Sequence, residues 1–150
     1  MKILSNAETS MELSFPSELG YEVIARDAVA AFARRFGFAS EQIEDVKTAL
    51  CEACINAIEH GNSLQPSLRV MISCQVDEER LLIEVHDQGV RPHSESSEPL
   101  TIAQKVMGMG RLRGMGLMLI KALTDESGFI DDSHAGNCFR LAFHRRPAAI

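Results

Sequence analysis

Short alternations of apolar and polar residues recur along this chain and predict strands. Met11 to Phe15 reads M-E-L-S-F and ends at Pro16, which cannot donate to a sheet ladder. The acidic turn 77–79 joins two further alternating stretches and is short enough for a hairpin. The strands predicted after the first therefore cover residues 68–76, 81–86, 127–130 and 138–143.

Helical spacing of apolar residues separates these strands. Ser17 is predicted to cap a first helix over 18–36, which Gly37 ends. A second helix begins after Ser40 and ends at Gly61-Asn62, and a third runs from Gly114 to about Leu123. The predicted buried stripes are Leu19, Val23, Ala30 and Phe36 on the first helix, and Ile43, Val46, Leu50, Cys54 and Ile58 on the second.

The order β-α-α-β-β-loop-α-β-β groups the later strands as antiparallel hairpins. A single, mostly antiparallel sheet with the helices on one face buries every stripe, which predicts an α+β two-layer sandwich. A Rossmann fold is excluded because no glycine motif opens a βαβ unit. We expect an N-terminal extension over 1–10, one domain over 11–146 with a long loop at 88–113, and a tail over 147–150.

Composition narrows the class of protein without changing this fold. The chain has 150 residues and a net charge of -6, with 45% hydrophobic residues, which suits one globular domain. The acidic balance and the lack of a Lys/Arg run argue against direct nucleic-acid binding. No stretch reaches the roughly 18 apolar residues of a membrane span, so we expect a cytoplasmic protein. Cys51 and Cys54 form a lone C-x-x-C inside a helical pattern, which favours buried thiols over zinc or redox chemistry.

The second helix carries the first set of residues with chemical potential. Glu52, Asn56 and Glu59 project within one sector, about opposite the apolar stripe. A solvated polar face is one interpretation. The other is a site in which the Asn56 carbonyl binds a hard cation and Glu52 accepts a proton from a nearby hydroxyl.

Two further clusters lie beyond this helix. Asp87-Gln88-Gly89 ends an apolar strand, and it could either begin a turn or let a carboxylate accept from a purine amino group. Gly108 to Leu117 is glycine-rich and opens the third helix, with Arg111 and Arg113 near its start. Glycines and a helix N-terminus favour binding of an anion such as phosphate. A flexible loop followed by an ordinary helix start has the same composition, so both interpretations are open.

Together these clusters resemble the ATP-binding boxes of the GHKL, or histidine-kinase-like, ATPase superfamily. The matching motifs are Glu52-Ala-Cys-Ile-Asn56-Ala-Ile-Glu-His60-Gly61, Asp87-Gln-Gly89 and Arg113-Gly114-Met115-Gly116-Leu117. Within the superfamily, the strand 11–15 and the helix sequence from Ile43 most resemble the bacterial anti-sigma factor serine/threonine-protein kinases. The resemblance extends from about Met11 to Phe143.

The resemblance implies a Bergerat-type fold and a serine/threonine kinase that uses ATP and Mg²⁺. Glu52 would be the general base, Asn56 would coordinate Mg²⁺, and Asp87 would bind the adenine amino group, with residues 90–113 as the ATP lid. A STAS-type anti-anti-sigma protein would be phosphorylated, a sigma factor would be held inactive, and the kinase would be a homodimer. The implied nucleotide-binding set is Asn56, His60, Gly61, Asp87, Gly89, Gly110, Arg113, Gly114, Met115, Gly116 and Leu117.

Two departures from the family pattern keep other functions open. Arg91 stands where many relatives have a second glycine, and Gly136-Asn137-Cys138 replaces Gly-Thr-Thr, which removes a hydroxyl near Asp87. One alternative is therefore a nucleotide-binding module that sequesters its partner with little kinase activity. The other is a partner-switch kinase that does not act on a sigma factor. Neither departure removes Glu52 or Asn56.

Overall fold

A computed structural model describes residues 9–89, 113–131 and 136–146 of the chain. Its sheet has five antiparallel strands in the order β1-β2-β3-β5-β4. The predicted α+β class, antiparallel sheet and element order are confirmed. The elements are β1 (Ser10–Pro16), α1 (Tyr21–Arg35), α2 (Ser40–Asn56), a π-helical turn (Ala57–Gly61), β2 (Arg69–Val76), β3 (Arg80–His86), α3 (Arg113–Leu123), β4 (Glu126–Ile130) and β5 (Cys138–His144).

One face of the sheet is buried against the helices. Successive strand side chains point to opposite faces, so burial on one side gives a period of two. β2 and β3 follow this rule, and their inward side chains join those of α1 and α2 in one core. The buried side chains from the two strands are Val70, Ile72, Cys74, Val76, Leu81, Ile83 and Val85.

α2 is the central helix of the covering layer, since it packs against both α1 and α3. Its predicted stripe from Ile43 to Ile58 is buried as expected. The side chain of Gln42 donates to the carbonyl of His144 at 2.6 Å, which ties the start of α2 to the end of β5. Among the described helices, none has the length and apolar character needed to cross a bilayer.

The first helix differs from its prediction. Gly20 is its N-cap, and the predicted cap Ser17 is instead buried, where its hydroxyl donates to the Leu68 carbonyl at 2.8 Å. Leu19 and Val23, predicted to be inside, are 55% and 40% exposed. Small side chains let α1 lie close to α2, so the alanine-rich face is the one that packs. The buried residues of α1 are Ala25, Val29, Ala30 and Ala33.

Candidate functional site

α2 ends in a π-helical turn that brings its last residues to the end of β3. The backbone N–H of Asn62 donates to the Ala57 carbonyl at 2.8 Å, five residues back. π-helical turns widen a helix and are frequent at functional sites. Here the turn places Gly61 against the carboxylate of Asp87, the first residue after β3.

The Asp87 carboxylate is buried, with 5% of the residue exposed, and is held in a defined orientation. Its Oδ1 accepts from the Gly89 N–H at 2.9 Å and from the backbone and side-chain amides of Asn137, both at 3.0 Å. A Cβ at Gly61 would overlap this carboxylate, and a Cβ at Gly89 would overlap the Gly61 carbonyl. Glycine is therefore required at both positions by close approach rather than by backbone conformation.

Asn137 is a residue of this site that the sequence patterns did not identify. It stands where relatives often carry a threonine, so this chain lacks a hydroxyl near Asp87. In the structure the Asn137 side-chain amide donates to Asp87 Oδ1, so an amide supplies a donor in place of the hydroxyl. The adjacent Gly136 has φ +94° and passes so close to the Asp87 carbonyl that no Cβ would fit.

A narrow cavity lies between α2 and the sheet, and Asp87 and Asn56 are its polar lining residues. Its walls are mostly apolar, and Phe129 and Phe139 meet edge to face in them with ring centroids 4.9 Å apart. An apolar slot with a carboxylate in its lining suits a flat heteroaromatic ring with an exocyclic amine. The lining residues are Ala53, Asn56, Ala57, Val85, Asp87, Phe129 and Phe139.

Glu52 and Asn56 lie one turn apart on α2, beside the first turn of α3. Glu52 is only 8% exposed, so the interpretation as a solvated polar face is wrong for this residue. A Cβ at Gly116 of α3 would lie 3.2 Å from Glu52 Oε1 and 3.5 Å from Asn56 Nδ2. The first N–H groups of a helix have no partner within it and carry partial positive charge. A carboxylate, an amide and a helix N-terminus thus meet next to the slot.

The remaining predicted residues take varied positions. His60 is exposed in the π-helical turn, Met115 is 56% exposed, and Leu117 is half-buried against the core. Arg113 and Gly114 open α3. Gly110, Arg91 and most of the predicted lid lie outside the described residues.

Comparison with protein families identifies the domain that covers most of the chain. Residues 15–143 match the histidine kinase-like ATPase domain. The chain belongs to this family. The position of the Asp87 slot between α2 and the sheet therefore lies within the ATPase domain that the family shares.

Curated relatives of this ATPase domain include serine-protein kinases and anti-sigma factors. The chain is 32% identical to a serine-protein kinase RsbW of Bacillus velezensis over 127 residues, which are 82% of this chain and 79% of the relative. It is 29% identical to an anti-sigma F factor of Oceanobacillus iheyensis over 131 residues, which are 86% and 88% of the two chains. The resemblance to the anti-sigma factor kinases is confirmed.

A solved structure supports the fold independently. The RsbU and RsbW domains of Rv1364c from Mycobacterium tuberculosis superpose with a TM-score of 0.65 at 17% identity, covering 93% of this chain and 33% of that chain. At this identity the likeness establishes the fold alone.

Cys51 and Cys54, the lone C-x-x-C on α2, are predicted to be buried thiols rather than a zinc or redox centre. Cys54 is fully buried, and burial raises the pKa of its thiol well above the ordinary value. Burial likewise raises the pKa of Cys74 to about 12. Cys51 is half-buried, and none of the four cysteines forms a disulfide bond. A thiol with a raised pKa is a poor nucleophile at neutral pH, which agrees with the buried-thiol interpretation for Cys54.

Proposed function

We propose that this ATPase-family protein transfers the γ-phosphoryl group of ATP to a serine or threonine of a STAS-type anti-anti-sigma protein. In the alternative complex it holds a sigma factor inactive. The relatives named serine-protein kinase and anti-sigma factor support the kinase and anti-sigma roles. The observation that carries the proposal is that Asp87 and Asn56 line one cavity, while Glu52 and Asn56 both lie beside Gly116 near the start of α3.

The residues present fit ATP as a substrate. Asp87 in the lining of the apolar slot would accept from the adenine amino group, while Phe129 and Phe139 pack beside the base. The glycine-rich start of α3 would face the phosphates. Asn56 offers a carbonyl oxygen to Mg²⁺, which would neutralise phosphate charge when bound.

Glu52 is proposed as the general base. As the substrate hydroxyl attacks the γ-phosphorus, the hydroxyl proton passes to the Glu52 carboxylate. The new O–P bond forms while the bond to the β-phosphate oxygen breaks, and the electron pair leaves with ADP. Positioning and electrostatic stabilisation supply most of such a rate enhancement, so this small set of groups is sufficient.

The decisive experiment compares Glu52→Gln with the wild type in phosphate transfer from Mg-ATP to STAS-domain proteins of the same organism. We expect transfer to slow by about 100-fold or more, because general-base catalysis contributes that much, while ATP binding changes little. Glu59→Gln is the matched control, since Glu59 lies on the same helical segment and is half-buried. Equal transfer rates for Glu52→Gln and the wild type would refute the assignment of the base.

One structural observation favours a second candidate function. The carboxylate of Glu52 is buried beside Gly116 of α3, so a substrate hydroxyl reaches it only if this contact opens. A chain in which the contact stays closed would bind a nucleotide and capture a sigma factor without phosphorylating a STAS protein. Affinity capture with and without ATP, followed by mapping of phosphorylated sites, separates the two functions. Phosphorylation of a captured STAS protein supports the kinase, and nucleotide-dependent capture of a sigma factor with no phosphorylated site supports the alternative.

A STAS protein that is phosphorylated without any sigma factor being captured would instead indicate a partner-switch kinase with another target.

A further inference from the structure

A cluster of three metal-ligating side chains lies on the outer face of the sheet, away from the nucleotide slot. His86 and Cys138 are directly paired across β3 and β5, and Glu84 is two residues before His86 on the same face. Cys138, like Asn137 before it, stands where relatives often carry a threonine. None of the three takes part in the proposed phosphoryl transfer.

The distances within the cluster are those of a metal site. Cys138 Sγ lies 3.7 Å from His86 Nε2, and Glu84 Oε1 lies 3.5 Å from the same nitrogen. One potential ligand atom from each residue lies within 4.8 Å of the others. Tetrahedral zinc with bonds of about 2.0–2.3 Å separates its ligand atoms by roughly 3.3–3.7 Å, so two of the three separations already match.

The surroundings are suited to orient these ligands. Arg140 donates to Glu84 Oε2 through Nε at 3.0 Å and Nη2 at 2.6 Å, so this oxygen is held while Oε1 lies toward His86. Hydrogen bonds of this kind to ligating carboxylates orient metal ligands. The side chains of His86 and Glu84 are 16% and 20% exposed, so an ion can enter from solvent, whereas Cys138 is buried.

We propose that Glu84, His86 and Cys138 bind a divalent transition-metal ion, with Zn²⁺ as the best match and water as the fourth ligand. A thiolate and an imidazole favour Zn²⁺ or a similar ion over Mg²⁺ or Ca²⁺, which prefer oxygen. A bound ion would join β3 to β5 at the residues that immediately adjoin Asp87 and Asn137. These two residues are hydrogen-bonded to each other. A metal bound on the outer face would therefore stabilise the position of the Asp87 carboxylate in the nucleotide slot.

Titration of the reduced, metal-free full-length protein with Co²⁺ and Zn²⁺ tests the site. Wild type is expected to bind one ion per chain, and Co²⁺ is expected to give the near-ultraviolet charge-transfer band of a thiolate ligand. Zn²⁺ is expected to raise the melting temperature because it binds only the folded chain. Absence of the Co²⁺ band in the wild type would show that the cluster is only a hydrogen-bonded set and would overturn the proposal.

Variants assign the ligands. Cys138→Ser is expected to abolish the Co²⁺ band, and His86→Gln and Glu84→Gln are expected to lower Zn²⁺ affinity by about 10-fold or more. Cys51→Ser is the matched control, because Cys51 is a half-buried thiol on α2, outside the cluster. Unchanged binding by folded Cys138→Ser, or loss of binding by Cys51→Ser, would place the metal elsewhere. If Cys138→Ser does not fold, the wild-type spectrum and His86→Gln decide.

Discussion

At the scale of single residues, the site depends on how closely backbone and carboxylates approach each other. Gly61 and Gly116 both border a carboxylate, Gly61 that of Asp87 and Gly116 that of Glu52. A Cβ at Gly61 would overlap Asp87, whereas a Cβ at Gly116 would lie 3.2 Å from Glu52 Oε1. The two glycines therefore allow adenine recognition and phosphoryl transfer to be tested separately.

We expect Gly61→Ala to weaken binding of both ATP and adenosine by about 10-fold or more, because the Asp87 carboxylate must move. Gly116→Ala is expected to leave adenosine binding nearly unchanged and to alter phosphate transfer, since the described atoms nearest to its Cβ belong to Glu52 and Asn56. Isothermal titration with adenosine and ATP measures the first effect, and phosphate transfer measures the second. Tight adenosine binding by Gly61→Ala would contradict the proposal that Asp87 recognises the adenine ring.

At the scale of elements, one buried asparagine connects three parts of the chain. Asn62 follows the π-helical turn and is fully buried. Its Nδ2 donates to the Ser17 hydroxyl at 2.7 Å and to the Arg69 carbonyl at 3.0 Å, and its Oδ1 accepts from the Gln88 N–H at 2.7 Å. Asn62 thus joins the end of α2 to the chain after β1, to the start of β2 and to the loop after β3.

We expect Asn62→Ala to lower the free energy of unfolding by about 2–4 kcal/mol, because it leaves buried polar groups without partners and creates a small cavity. Urea denaturation measures this change. Gln65→Ala is the control, since Gln65 is an exposed amide in the same connection, and it should change stability by less than about 0.5 kcal/mol. A loss below 1 kcal/mol for Asn62→Ala would show that the connection is not held by this residue.

At the scale of the whole molecule, β1 and β4 are the two edges of the sheet. An edge strand presents backbone donors and acceptors that can pair with another chain. Together with the homodimer that the family resemblance implies, the edge strand β1 motivates the prediction of a homodimer.

Light scattering coupled to size-exclusion chromatography is expected to give about twice the chain mass of 16.5 kDa. The dimer should persist on dilution into the micromolar range. A mass of one chain across that range would refute the prediction and would leave the proposed kinase site intact, since every residue of that site lies within one chain.

Much of the architecture was predictable because the local spacing of apolar residues determines it. Alternation fixes which strand side chains share a face, and helical spacing fixes a stripe, whatever the rest of the chain does. This is why the five strands and the stripe of α2 were predicted within a few residues of their observed bounds. α1 was less predictable, because its small alanines rather than its larger apolar residues determine which face packs.

The chemistry of the site was predictable only where motif spacing encodes it. Glu52 and Asn56 are one helical turn apart in any α-helix, so their proximity follows from the sequence itself. The burial of Glu52 does not, because it depends on α3, which is distant in sequence.

The sequence by itself therefore determined the element order, the family and the box residues. Only the tertiary structure decided what surrounds Asp87, since Asn137 is 50 residues away along the chain and reaches it through the register of β3 with β5. The same register brings Cys138 to His86. Contacts of this kind are set by the packing of the whole sheet, and no local pattern of residues carries that information.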